Sequence, residues 1–233
     1  EKVLEQASSL ATVTELTVTG TINADDWNCI TVQMTGLSAL NLSQATASFE
    51  AITTFNGKIK TFSFPKGIKQ VGNGNYFFRS LTSCTFNDEL EIIKSYTFGS
   101  SNITSIVLPK SLKEIQSYAF YDSSISVADL SNIDAENCTF GNSLFDYCES
   151  LSSVTLPGNM RDIPNGFFYY CRVLKNIEIP STVKSIGSSV FSGCRALSDI
   201  TLPENVRCIE NETFRDCTSL NQKVLPTSLT SIG

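Results

Sequence analysis

The apolar positions of this chain recur on two periods at once. Over short stretches they alternate, as in Val154 and Leu156 or Ile177 and Ile179, which predicts strands with two inward residues each. Over longer distances the whole pattern returns every 23 residues: LSSVTLPGNMRDIPNGFFYYCRV (151–173), LKNIEIPSTVKSIGSSVFSGCRA (174–196), LSDITLPENVRCIENETFRDCTS (197–219) and the partial copy LNQKVLPTSLTSIG (220–233). A fixed period of this length predicts a solenoid, in which each unit buries its apolar face only against its neighbours. Within a unit, Pro closes the strand because it has no N–H for a ladder. A second apolar pair such as Val183 and Ile186 returns to the core, and Gly187 is expected to permit the corner through its backbone freedom. Identical strands one coil apart run parallel, so the units are expected to build one parallel sheet along one side. Phe98, Phe120, Phe145, Phe168, Phe191 and Phe214 share one position and are expected to stack into an aromatic spine.

Earlier units follow the same pattern with small departures. Segments 59–80, 81–102 and 103–124 keep it in 22 residues, with Tyr76 at the aromatic position of the first. These three are one residue shorter after the aromatic and lack the Cys. Segment 125–150 has 26 residues, Ser131 in place of Pro, and its surplus around Asp134 to Asn142, where a bulged loop is expected. Segments 13–36 and 37–58 are degenerate, as terminal repeats usually are. Ten unit openings result, from Val13 to Leu220. The expected organisation is an N-terminal cap and first degenerate repeat over 1–36, then one continuous solenoid over 37–233: 22-residue units over 37–124, the irregular unit 125–150, and 23-residue units over 151–233. Asn23 or Asp25 is expected to cap a helix that packs Trp27, the only Trp, over the first coil. Residues 1–12 suggest another short helix.

The unit L-x-x-I-x-L-P-x-x-V-x-x-I-G-x-x-x-F-x-x-C resembles the leucine-rich repeats of the BspA-like (Treponema pallidum) class, well over 37–233 and loosely over 13–36. The opening TVTELTVTGTINADDW is similar to the N-terminal region of such proteins from gut Bacteroides. The resemblance implies a right-handed, curved leucine-rich repeat solenoid of about ten coils. Its parallel sheet would line one face, with turns and short helical or irregular segments on the other. It further implies a secreted or cell-surface bacterial protein, with repeats that adhere to host matrix or cell-surface proteins, and it supplies no catalytic residues. Lys223, at a normally apolar strand position, departs from the pattern.

Composition narrows the chemistry. A net charge of −6 and 17% charged residues disfavour a nucleic-acid or anionic-membrane binder. No apolar run approaches the roughly 20 residues of a membrane span. The start at Glu1, without Met or an apolar leader, fits either removal of a signal segment or an artificial chain boundary. There is no His, no CxxC, no Gly-rich phosphate loop and no nucleophile elbow, so neither an enzyme, a metal site nor a cofactor is expected. Of the eight Cys, Cys148, Cys171, Cys194 and Cys217 share one repeat position. Neighbouring coils lie about 4.8 Å apart, which disulfide geometry admits. The favoured reading is a column of buried free thiols serving as small apolar residues.

Two candidate contact surfaces emerge. The outward strand positions form a neutral Ser/Thr-rich face with scattered acids, and Asp129, Thr155, Asn176, Glu178, Asp199, Thr201 and Gln222 are its candidate interaction residues. Neither of its columns carries the aromatic or Arg anchors that binding faces favour. A basic edge after the turn comprises Lys69, Lys113, Arg161, Lys184 and Arg207, interrupted by Glu91 and Ala135. The expected function is non-catalytic protein–protein interaction or adhesion; the alternatives are a glycan-binding module and a structural spacer.

Overall fold

The computed structural model describes residues 10–221 and 225–233. The chain winds as a solenoid whose strands pair in parallel with the equivalent strand of the next coil. Nine strands form the first face, from Glu15–Ile22 and Ala39–Ala47 to Asn176–Glu178 and Asp199–Thr201. Leu40, Phe62, Ile106, Ala128, Ile177 and Ile200 at their inward positions are buried. The register is one-to-one from Ala39–Ala47 onward, for example Val127 opposite Ser153 and Asp129 opposite Thr155, and shifts once in the first pair, between Thr17 and Thr19. A second parallel ladder, not foreseen from the sequence, is built from two-residue strands such as Ile92–Ile93, Glu114–Ile115 and Ser185–Ile186. These are the segments where the second apolar pair returns to the core.

The third side is a tight turn around the aromatic position. Phe78, Phe98, Phe120, Phe145, Phe168, Phe191 and Phe214 stack face to face, with centroids 5.0–6.0 Å apart and planes within 26°. The spine therefore extends through Phe78, not Tyr76. Residues two before and two after the aromatic take positive φ in coil after coil, among them Tyr96, Ser143, Ser189, Asp122 and Tyr170 at +52° to +57°. This left-handed geometry places the Phe N–H against the next coil: Phe98, Phe120, Phe145, Phe168 and Phe191 each donate to a carbonyl there at 2.8–3.1 Å. The backbone polar groups of a buried turn are thus satisfied between coils rather than by solvent.

Four further details differ from expectation or sharpen it. Gly187 has an ordinary negative φ; it is required because a Cβ would lie 2.5 Å from Asn165 Oδ1, so what it supplies is close approach. The Cys position persists in the 22-residue units as buried Ser101 and Ser123, and the Ser123 hydroxyl meets Cys148 Sγ at 3.3 Å. All eight cysteines are free; the column thiols donate to the Phe carbonyl of the preceding coil, Cys148 to Phe120 at 3.0 Å and Cys194 to Phe168 at 3.1 Å. The site takes a small side chain, Ser or Cys; the thiols and the Ser123 hydroxyl find partners there, whereas the Ser101 hydroxyl has none. The surplus of unit 125–150 lies between its strands: nine residues (130–138) separate Asp129 from Thr139, against six (156–161) between Thr155 and Asp162. Asp134 pins this bulge, accepting from Asn137 and Asn159 Nδ2, each at 2.6 Å.

At the N-terminal end, helix Ala24–Asn28 is closed by a capping box between Asn23 and Asp26. Trp27 packs against Phe49, Phe55 and Phe62 and donates to the Thr54 carbonyl, covering the first coils. The expected helix over 1–12 falls mostly outside the described residues; Leu10–Thr12 form a single 3-10 turn.

Candidate functional site

Each of the three sides offers a surface. On the first face, Thr155, Asn176, Glu178, Asp199 and Thr201 are exposed, with Asn176 opposite Asp199 and Glu178 opposite Thr201. Thr155 and Glu178 meet at a shallow groove of about 380 Å³ that Pro180 and Ser181 also line. Asp129 is half-buried and committed locally. Its carboxylate accepts from the Ser131 N–H at 2.9 Å, and hydrogen bonding from Ser131 holds it below the usual carboxylate range. It closes the strand where Pro is missing, leaving Glu178 and Asp199, with Glu15 in the first strand, as exposed acids of the face without an ion pair among the described residues. Gln222 and Lys223 lie outside the described residues.

The basic edge is more nearly balanced than its sequence column suggests. Lys69 pairs with Glu50 at 2.6 Å, Lys113 with Glu91 at 3.0 Å and Arg161 with Glu136 at 2.5 Å. The second-ladder register places Cys138, not Ala135, at this position, since Thr139 pairs with Glu114 and Cys138 turns inward. Among the described residues Lys184 and Arg207, in adjacent coils, have no ion pair. A groove of about 510 Å³ opens where the second ladder is interrupted between Phe140 and Asp162, beside the Glu136–Arg161 pair. No group of three His, Cys, Asp or Glu is placed to hold a metal ion among the described residues.

The third side carries what the sequence reading missed. All seven tyrosines of the chain form one continuous row on the shoulders of the Phe turn. Tyr76, Tyr96 and Tyr118 sit two residues before the aromatic in successive coils, with centroids 5.2 and 5.1 Å apart; the Tyr96 and Tyr118 rings stack, and the Tyr76 ring is tilted 48° from Tyr96. Tyr121 lies across Tyr96 and Tyr118 at 6.0 Å from each and hands the row to the trailing shoulder. There it continues through Tyr147 to Tyr169 and Tyr170 at 5.8, 5.7 and 5.0 Å. Tyr76 is exposed and the others are partly exposed. A guanidinium closes each end: Arg79 lies 4.7 Å over the Tyr76 ring and Arg172 5.3 Å over Tyr170.

The backbone does not favour tyrosine here. Tyr96, Tyr118, Tyr147 and Tyr170 have φ of +55° to +62°, where Gly166 and Gly193 serve in other coils. Each costs about 1 kcal/mol relative to glycine, and ring stacking returns a similar amount. Beneath the row is Asp146, at the coil position held by Tyr121 and Tyr169 in its neighbours. It is only 7% exposed, and its Oδ1 has no hydrogen-bond partner. Burial raises its carboxyl to about pKa 6, against hydrogen bonding from Ser143 and the Tyr147 backbone. Burial also raises the Tyr96, Tyr121 and Tyr169 phenols, and the Asp146 charge adds to each. The signal was present in the sequence as Tyr flanking the repeat Phe in Y-T-F, Y-A-F-Y, F-D-Y and F-Y-Y.

Comparison with known proteins agrees with this architecture. Residues 32–140 and 138–233 match the BspA type leucine rich repeat region, in six copies. A leucine-rich repeat protein from Bacteroides ovatus shares 27% identity and a TM-score of 0.68 over 78% of this chain. The Treponema pallidum leucine-rich repeat protein shares 25% and 0.64 over 73% of this chain and 82% of its own. The chain spans about half the length, 48%, of the Bacteroides ovatus protein. No curated protein matches it.

Proposed function

The chain belongs to the BspA-type leucine-rich repeat family, and from that premise we propose that it is a non-catalytic protein-interaction module, secreted or displayed at the cell surface, that adheres to a host matrix or cell-surface protein. The observation that carries this reading is the tyrosine row. Tyrosine supplies large, amphipathic contact area at low conformational cost and is enriched at protein interfaces. Here seven of them are held by inter-coil stacking on a backbone whose turns are hydrogen-bonded coil to coil. The three faces differ in what they offer. The Ser/Thr face offers small neutral side chains with the acids Glu178 and Asp199 and no aromatic anchor, whereas the row contributes aromatic anchors on a rigid support, which is where binding energy concentrates.

The test is retention of the purified chain on immobilised host matrix proteins, compared with Tyr118→Ser/Tyr121→Ser. Loss of retention with an unchanged far-UV spectrum supports the reading. Retention by the variant equal to that of the original chain refutes the row as contact surface. Surface location is checked by protease shaving of intact cells, and a chain that fractionates with cytosol contradicts it.

A second reading has one specific observation in its favour. Lys184 and Arg207 stand in successive coils without an ion pair among the described residues, a geometry suited to an anionic glycan. Unchanged binding to sulfated glycans in Lys184→Glu/Arg207→Glu removes it.

A further inference from the structure

We propose that the tyrosine row receives a lysine- and arginine-rich segment of the partner protein. The inference rests on the interaction role proposed above and names the chemistry of what docks. The chain already shows what the rings accept: at both ends of the row a guanidinium sits over a tyrosine face, Arg79 on Tyr76 and Arg172 on Tyr170. Between those ends, from Tyr96 to Tyr147, no cation of the chain lies over a ring among the described residues. Two carboxylates occupy this stretch without an ion pair. Asp122 is exposed and engaged only by the Ser100 hydroxyl at 3.1 Å, and Asp146 lies nine-tenths buried with one oxygen unpartnered. A buried carboxylate that its own chain leaves uncompensated calls for an explanation. Its negative field emerges through the row, where it acts on the tyrosine hydroxyls. Aromatic rings rimmed by unpaired carboxylates are chemically a site for ammonium and guanidinium groups.

The length of the row fits an extended protein segment. The row crosses five coils, about 22 Å along the spine, which an extended segment of roughly seven residues spans.

The experiment is fluorescence anisotropy of the full chain with labelled octa-arginine at roughly physiological salt, with octa-glutamate as comparator. The expected result is saturable binding of octa-arginine and none of octa-glutamate. Tyr118→Ser/Tyr121→Ser, which changes no charge, weakens binding at least tenfold; Asp122→Asn weakens it about threefold, by the order of one exposed charge contact. Glu178→Gln/Asp199→Asn, which removes two charges from the first face, stays within twofold. The fold tolerates the serines, since Ser143 and Ser189 hold the Tyr118 position with φ of +55° and +57° and Ser192 holds that of Tyr121. Should the double variant melt below the assay temperature, Tyr121→Ser alone and Asp122→Asn make the same comparison. Absence of octa-arginine binding overturns the inference, as does binding that ignores the serines or falls equally with the first-face variant. If octa-arginine fails while matrix retention still depends on Tyr118 and Tyr121, the basic segment is refuted and the interaction role stands.

Discussion

Replacing Asp146 by Asn should make this protein more stable at neutral pH, an uncommon outcome for a buried polar residue. Asp146 is 7% exposed, its Oδ1 lacks a partner, and burial raises its carboxyl from 3.8 to about 6. A raised carboxyl means that the folded chain holds its proton where the unfolded chain has released it. Stability therefore falls as pH rises from about 4 to about 6, and the full penalty persists above that. Two pKa units correspond to about 3 kcal/mol, and about 2–3 kcal/mol after allowance for residual hydrogen bonding. Asn keeps the shape without the charge, so Asp146→Asn should raise the melting temperature at pH 7.5 by roughly 4–12 °C for a chain of this size. At pH 4.5 the gain should shrink to about 1 kcal/mol, because Asp146 is protonated in the fold while the unfolded chain has already released most of its proton. The assay is thermal and urea unfolding followed by far-UV circular dichroism at both pH values; the Trp27 signal alone reports on the N-terminal end, and repeat proteins unfold regionally. Equal or lower stability of the variant at pH 7.5, or a gain of the same size at both pH values, would refute the reasoning.

Three further outcomes follow from the packing. Phe145→Ala, at a fully buried ring between Phe120 and Phe168, should cost about 3–5 kcal/mol, and a cost under about 1 kcal/mol in urea unfolding would contradict the continuous spine. Thiol titration should find eight free cysteines in denaturant, while Cys148, Cys171 and Cys194 stay unreactive in the folded chain because burial pushes their pKa up, to about 12 for Cys148. Asn23→Ala removes the side-chain acceptor of the Asp25 and Asp26 N–H groups in the capping box and should cost about 1 kcal/mol locally, seen as Trp27 fluorescence melting before the bulk circular dichroism.

Much of this architecture was legible because a solenoid repeats its own constraints. The strand alternation, the Phe spine and the Cys position each recur often enough to reveal the inward side. What was misread comes from compensating shifts that preserve a unit's length. In 59–80, Phe78 lies 19 residues after Ile59, whereas Phe98 lies 17 after Leu81. Two residues added near Gly72–Asn75 are removed again before Leu81, so equal length pointed to Tyr76. In 125–150 the surplus falls before Thr139, which moved the edge position from Ala135 to Cys138. The second ladder escaped because two-residue strands carry no alternation to detect. The tyrosine row escaped for a different reason. Its side chains face outward because their residues are left-handed or lie beside left-handed ones, and the apolar pattern does not report φ. Of the two surfaces read from the sequence, the first face is exposed at Thr155, Asn176, Glu178, Asp199 and Thr201, with Asp129 withdrawn into a turn. The basic edge is largely neutralised by acids one coil earlier, except at Lys184 and Arg207.

Because every tyrosine of the chain belongs to the row, one spectrum observes the whole proposed contact. Labelling with 3-fluorotyrosine should give seven fluorine resonances, all from Tyr76 to Tyr170. Titration with a matrix protein that retains the chain should shift or broaden the Tyr96, Tyr118 and Tyr121 signals at the concentrations where retention occurs. Retention that leaves all seven resonances unmoved would contradict the account.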